Sequence, residues 1–388
     1  MTSNSDENKH AIDQVHHVRM RPGMYFGGVD KRALHEMVFN LVDNALTDIQ
    51  AGLADSIWIT LRDGFEISIR DNGKGMPVDR VEPDGKLALE IAMTGFMRRG
   101  AKGEYLFNVG IIGGSILVSV NALSAEATVE SAREGYLWQQ RYIKGVRQTD
   151  VVQIRPLNQD ESTGTTITFT PDFTILEAHE FDYELLCNRA YELAMLLPGA
   201  TFTVRDERQQ QTSEQVYRFE NGLLDYVSDL SNDLKKLHTP VYGKEVLELP
   251  KEHQSRDGYE LVVEFAFVYT DADESYIRTY GNTTATTGGT HLLGFYNGLL
   301  NVIRQYSSYP HLEHDHLQSG LAAVIRFQHP YITFESQWQI KLMNSEATAI
   351  TENAVTQILA EFARQNPEAM QLIVKRVERN VGMLRGKD

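Results

Sequence analysis

Two α+β domains in tandem are what this sequence predicts, and three observations predict them. The chain has 388 residues, more than one ordinary domain holds. Apolar residues recur at helical spacing in some segments and alternate at strand spacing in others. Strands and helices are mixed without strict strand–helix–strand alternation, which places both domains in the α+β class, with helices on one face of a mixed sheet in the first.

The elements follow in order. Residues 1–17 read as a polar arm, and Arg19 to Gly28 (RMRPGMYFGG) as a turn-rich stretch. Leu34, Met37, Val38, Leu41, Val42, Ala45 and Ile49 then form one apolar helical stripe. Its other side carries Glu36, Asn40, Asp43, Asn44 and Thr47, and the four-residue steps stack Glu36, Asn40 and Asn44 on one face. A hairpin is expected next: Ile57, Ile59 and Leu61 alternate, Asp63-Gly64 turns, and Phe65, Ile67 and Ile69 alternate again. Asp71 shares the parity of Ile67 and Ile69, so it points to the core face, where a carboxylate must find donors.

A short helix at 87–97 and a glycine-rich loop at 98–114 come next. Strands continue to about residue 170, with Thr165, Ile167 and Phe169 on one face; a helix near 180–196 and a strand near 200–205 complete the domain. The polar run Asp206–Glu214 marks the expected boundary, giving domains 18–215 and 216–388. In the second domain the pattern predicts strands at 259–270 and 321–328 and helices at 290–306, 346–365 and 367–382.

Composition narrows the function. A net charge of −16 disfavours non-specific binding to nucleic acid or an anionic membrane, although Lys375, Arg376, Arg379 and Arg385 make the end locally basic. The single cysteine, Cys187, reads as a small buried residue. With no signal-peptide pattern and no long apolar run, the chain reads as cytoplasmic with no membrane partner. His311, Glu313, His314, Asp315 and His316 read as a solvated polar loop rather than a metal site.

A phosphate chain with magnesium needs an oxygen ligand for the metal, backbone N–H groups for the anion and a group to read the base. Asn44 offers an amide oxygen, Gly110, Gly113 and Gly114 a turn that exposes N–H groups, and Asp71 an acceptor for an exocyclic amine. Singly, each has an ordinary structural reading: a solvated helix residue, a weak glycine cluster, a turn cap. Their order is the specific signal.

FNLVDNA, RDNGKGMP, the glycine-rich segment and TGTTITF together resemble the GHKL (Bergerat) ATPase superfamily. VRMRPGMYFG and TTGGTHLLGFYNGLL extend the resemblance to the ATPase and transducer domains of type II topoisomerase B subunits, over about residues 18–382. The resemblance implies ATP and magnesium as cofactors, with Asn44 as metal ligand and Asp71 bonding the adenine amine, helped by Thr165 through a water. Gly73, Gly75 and Met76 would line the base; Gly110, Gly113 and Gly114 would cradle phosphates in a lid; Gln337 would reach the γ-phosphate. It further implies a homodimer closed by ATP, partnership with other gyrase or topoisomerase subunits, and DNA engaged only indirectly.

The departures fall on hydrolysis. The family's general base, four residues before the magnesium asparagine, is here Asn40, and a neutral amide accepts no proton usefully near neutral pH. The family's γ-phosphate lysine is here Gln339, with Lys341 two residues on. The lid ends in Ser115 rather than glycine, and Thr287 replaces an acidic residue before GGTH. Glu36, one turn before Asn40, is the candidate substitute base. Arg98, Arg99 and Lys102 read equally as phosphate ligands or as a solvated loop. The cleavage and DNA-gate regions of a full-length relative have no counterpart in these residues, so the sequence reads as a piece of one or as a stand-alone protein. The expected activity is ATP binding with weak or absent hydrolysis; an active topoisomerase module and a non-catalytic gyrase-B mimic are the alternatives.

Overall fold

The computed structural model describes residues 14–79, 87–95, 116–248, 260–309, 311–335 and 341–385. The chain divides into two compact units, Met1–Ala194 with Gly199–Arg218, and Met195–Pro198 with Phe219–Asp388.

In the first unit, residues 14–20 are helical (α1), followed by α2 (Gly23–Phe26) and α3 (Lys31–Gln50). Asp30 starts α3 by accepting from the backbone N–H groups of Arg32 and Ala33, satisfying two donors the first turn leaves open. Then come β1 (Ser56–Leu61), β2 (Ile67–Asp71), α4 (Ala88–Thr94), α5 (Ile116–Ala122), β3 (Ser124–Arg133), β4 (Tyr136–Ile143), β5 (Val146–Arg147), β6 (Val152–Pro156), β7 (Gly164–Pro171), α6 (Tyr183–Leu196), β8 (Thr201–Asp206) and β9 (Ser213–Tyr217).

These strands form one sheet in the order β5-β4-β3-β7-β2-β1-β8-β9, with β6 also on β4. All pairs are antiparallel except β1 with β8. The apolar stripe of α3 is buried across β1, β2 and β7, as its spacing predicts. The polar run after Asp206 is the turn of the β8–β9 hairpin.

Phe65 departs from the alternation expected of it. Residues Asp63–Phe65 form a single 3₁₀ turn, Phe65 has φ +64° and is exposed, and its ring meets Phe173 edge-on. Leu61 pairs directly with Ile67, so the turn takes up the residue that simple alternation gave to the strand.

The second unit contains α7 (Leu223–Leu230), β10 (Val241–Leu247), β11 (Leu261–Tyr269), β12 (Tyr276–Gly281), β13 (Thr284–Thr286), α8 (Thr290–Tyr306), α9 (His314–Gln318), β14 (Leu321–Gln328), α10 (Glu346–Gln365) and α11 (Pro367–Arg385). Its sheet runs β10-β11-β14-β12-β13, with β12 parallel to β14. Every residue of β11 is buried, so both faces of this sheet are covered. Phe265, Phe267, Phe295 and Phe327 centre the core.

The histidine-rich segment is a short helix rather than a loop. Glu313 accepts from the first turn of α9 and His316 Nδ1 accepts from the Glu313 N–H, closing a capping box. His314 stacks on Tyr296 and bonds Asn297 Oδ1 at 2.9 Å. No group of three metal-ligating side chains occurs among the described residues, and none of their helices is long and apolar enough to cross a membrane.

Candidate functional site

The site is built where β2 ends beside α3 and β7. Asp71 is the last residue of β2 and is 5% exposed. Its Oδ1 accepts from Gly73 N–H at 2.8 Å and from Thr165 N–H at 3.2 Å. Among the described residues its second oxygen takes no hydrogen bond, so one acceptor is left for a donor from outside. Burial pushes its carboxyl up to about 6, against the pull of the two N–H groups.

The loop after Asp71 is tightly braced. Asn72 Oδ1 accepts from the N–H groups of Asp55 and Ser56 at 3.0 Å each. A Cβ on Gly73 would lie 2.1 Å from Asp48 Oδ2, the same oxygen that accepts from Lys74 N–H at 3.3 Å. Gly75 has φ +75°, and a Cβ there would meet Ser131 Oγ and the Ala132 carbonyl below 3 Å. Met76 offers its carbonyl to Ser131 Oγ at 2.8 Å. Asp71, Gly73, Gly75, Met76 and Thr165 are thus brought together.

Asn44 lies one helical turn before Asp48 and is half-buried. The rest of its stripe is also half-buried rather than solvated: Glu36, Asn40, Asp43 and Thr47 all are. Asp43 Oδ1 lies 3.6 Å from Arg189 on α6, and burial pushes that carboxyl up to about 6. Among the described residues, Asp43 Oδ1 and Thr47 Oγ1 are buried without a hydrogen-bond partner. Glu36 is raised by burial, and its carboxylate lies 3.9 Å from Arg32 Nε. Side chains on a helix lean toward its N-terminus, so Glu36 tips toward Arg32, away from Asn40.

Two participants were not singled out by the sequence. Asp43 pairs with Arg189 across two helices, a contact no spacing along the chain reveals. Gly164 opens β7 where a Cβ would lie 2.0 Å from the Asp71 carbonyl; the TGTT run held it, but only the approach of the two strands gives it a purpose. Gly110, Gly113, Gly114, Ser115, Arg98, Arg99, Lys102, Gln337 and Gln339 lie outside the described residues. Lys341 is described, with Nζ 3.8 Å from Glu335 Oε2.

Comparison with known proteins agrees with both halves. Residues 29–175 match the histidine kinase-, DNA gyrase B- and HSP90-like ATPase family, and residues 222–381 match the DNA gyrase B family. The DNA gyrase B protein of Haloferax volcanii is 36% identical over 95% of this chain and 58% of its own length. Its Thermotoga maritima counterpart is 32% identical over 97% and 59%. This chain therefore spans somewhat over half the length of these relatives. Among solved structures, the 43K ATPase domain of Thermus thermophilus gyrase B, in complex with an aminocoumarin, superposes with a TM-score of 0.79 at 27% identity, covering 96% of both chains. Residues 29–175 thus belong with the histidine kinase-, DNA gyrase B- and HSP90-like ATPases, and residues 222–381 with DNA gyrase B, in one chain similar over nearly its whole length to gyrase B subunits.

Proposed function

We propose that this protein binds ATP with magnesium, closes two copies of itself into a clamp on doing so, and hydrolyses the nucleotide slowly or not at all. The observation that carries the reading is a contrast. The base-reading end keeps an acceptor-bearing Asp71 in a braced loop, while the position of the general base is the neutral Asn40.

The residues present fit the nucleotide. The Asn44 amide oxygen is a hard ligand suited to magnesium. The second oxygen of Asp71 accepts from an amino group such as the one adenine carries, and Thr165, itself buried beside it, supports that end. The glycines Gly110, Gly113 and Gly114 are proposed as the phosphate cradle and Gln337 as a γ-phosphate ligand, both on family resemblance. Magnesium, when bound, neutralises phosphate charge; Asn40 adds hydrogen bonding there but no proton acceptance. Loss of general-base assistance typically costs ~10²–10⁴-fold in rate. Partnership with other topoisomerase subunits, and through them with DNA, is proposed from the names of the relatives.

The test is ATP turnover set beside binding of a non-hydrolysable analogue, in the wild type and in Asn40→Glu combined with Gln339→Lys. The expected result is analogue binding by both proteins and a turnover at least a hundredfold faster in the variant. Turnover at ordinary ATPase rates in the wild type, abolished by Glu36→Ala, would overturn the slow-hydrolysis reading and make Glu36 the base.

A further inference from the structure

Helix α3 turns Asn40 and Asn44 away from its apolar stripe. The stripe, buried across β1, β2 and β7, decides which face of the helix meets the sheet. Apolar contact is non-directional, so it leaves small rotations about the helix axis weakly opposed. Side-chain tips lie about 5–6 Å from that axis, and a rotation of about 10° moves them about 1 Å. Directional contacts on the polar side must supply the rest.

Both sets of such contacts come from α6. At the start of α3, Lys31 Nζ donates to Asp182 Oδ2 at 2.8 Å, and His35 Nε2 accepts from Asp182 N–H at 2.8 Å. Asp182 Oδ1 also accepts from Leu185 N–H at 3.2 Å in the first turn of α6. One residue thus ties the N-terminal ends of the two helices.

In the middle of α3 the tie is a single guanidinium. The side chain of Arg189 is 14% exposed, and its Nη2 lies 3.6 Å from Asp43 Oδ1. Its Cζ lies 6.0 Å from the centre of the Phe39 ring. Its Nη1 donates to Glu192 Oε2 at 3.0 Å, which orients the group from its own helix. Phe39 and Asp43 are one turn apart, so Arg189 bridges two successive turns of α3. Each immediately precedes an asparagine of the site, Phe39 before Asn40 and Asp43 before Asn44. Arg189 also acts on Glu36, drawing its carboxyl down against the effect of burial. A planar cation suits this place, with its fork toward a carboxylate and its flat side toward a ring. Parting the pair would strand a buried carboxylate without its cation, so the contact resists separation.

We infer that Arg189 is a positioning residue: by holding Asp43 and Phe39 from α6, it sets the rotation of α3 and with it the direction of the Asn44 amide. The inference rests on the nucleotide-binding reading above, which assigns Asn44 to magnesium. Magnesium demands near-ideal octahedral geometry at about 2 Å, so a shift of about 1 Å takes a ligand oxygen out of the shell. The base end has a separate support, since Asp71 sits on β2 and is bonded by Gly73 and Thr165.

The test compares Arg189→Met, Arg189→Lys and Glu192→Gln in the whole chain, with a non-hydrolysable ATP analogue as the probe. Calorimetry is run with magnesium and with EDTA. Arg189→Met is expected to weaken binding about 10–100-fold with magnesium, the range for losing a group that orients a metal ligand, and less than about threefold in EDTA. Arg189→Lys keeps the charge and loses the flat fork, so about a threefold to tenfold loss is expected, again only with magnesium. Glu192→Gln should match the wild type in both. In nucleotide-free protein carrying isotope-labelled asparagine, the Asn44 side-chain amide signal, identified by Asn44→Asp, should move in both Arg189 variants and hold its place in Glu192→Gln. Equal losses with and without magnesium, no loss in either, or an unmoved Asn44 signal overturns the inference. Arg189→Lys gives the decision where Arg189→Met does not fold. A wild type that binds no analogue, or binds it equally well in EDTA, overturns the nucleotide or the metal reading instead, and the Asn44 signal still decides whether Arg189 seats the helix.

Discussion

Asp71 sets two demands against each other. Burial raises its carboxyl to about 6, so holding it ionised at neutral pH costs the folded state. As pH falls from about 6 toward the ordinary carboxylate range near 3.9, the folded state takes up the proton first and this cost is relieved. The same protonation removes the acceptor that the proposed adenine contact uses. Nucleotide affinity is therefore expected to fall about tenfold per pH unit below about 6, which titration calorimetry between pH 7 and 5 measures. Asp71→Asn should leave thermal stability unchanged or higher while weakening nucleotide about 10–100-fold, the range of a charge-assisted hydrogen bond. Asp71 and Thr165 were legible because strand parity forces each toward the core, where a polar group needs a reason. Asp43 was not, because its partner Arg189 comes from another helix and its own position looks like solvated surface.

Long helices were legible as elements because burial of one face imposes a period on many residues. Helices α8, α10 and α11 start at Thr290, Glu346 and Pro367, where their patterns begin. Short elements leave too few periods to read, so β12, β13, α7 and α9 went unseen, the last hidden in a run of charged and histidine side chains. Helix α3 does more than most elements, carrying Asn40 and Asn44 on one side and core residues on the other. Its start depends on Asp30, whose Oδ1 accepts from two N–H groups at 3.1 Å each. Asp30→Ala is expected to lower unfolding free energy by about 1 kcal/mol in urea melts, with nucleotide affinity changed less than threefold. A larger affinity loss would mean that fraying reaches the middle of the helix.

At the scale of the molecule, three buried histidines share one electrostatic behaviour. Burial lowers His35, and lowers His238 and His291 to about 4. His35 and His238 accept from the N–H groups of Asp182 and Tyr269 through Nε2, which fixes each ring neutral. Among the described residues, His291 has no partner on either ring nitrogen. Below the unfolded value near 6.5 the unfolded chain gains protons that these rings refuse, so each subtracts stability as pH falls, His238 and His291 doing so down to about 4. His291→Leu should flatten the pH dependence of stability in that window by about 1.4 kcal/mol per pH unit, and raise the melting temperature at pH 7 by removing two unsatisfied nitrogens. Denaturant midpoints of both proteins from pH 7.5 to 4.5 decide it. The two-domain plan was legible because motifs keep their order along the chain. Sheet order was not, since pairing β1 with β8 joins residues 56–61 to 201–206 with no local signal.

That parallel pairing, and the bond from Thr165 to Asp71, have a consequence for how the protein is made. Asp71 leaves the ribosome well before either partner strand exists, and its loop is braced from β3 and β7. The nascent chain must carry a buried-type carboxylate in water until β7 arrives, and an unpaired β1 edge until β8 does. On the proposed reading, nucleotide binds only after synthesis has passed β7, because that strand and β3 brace the loop at Asp71.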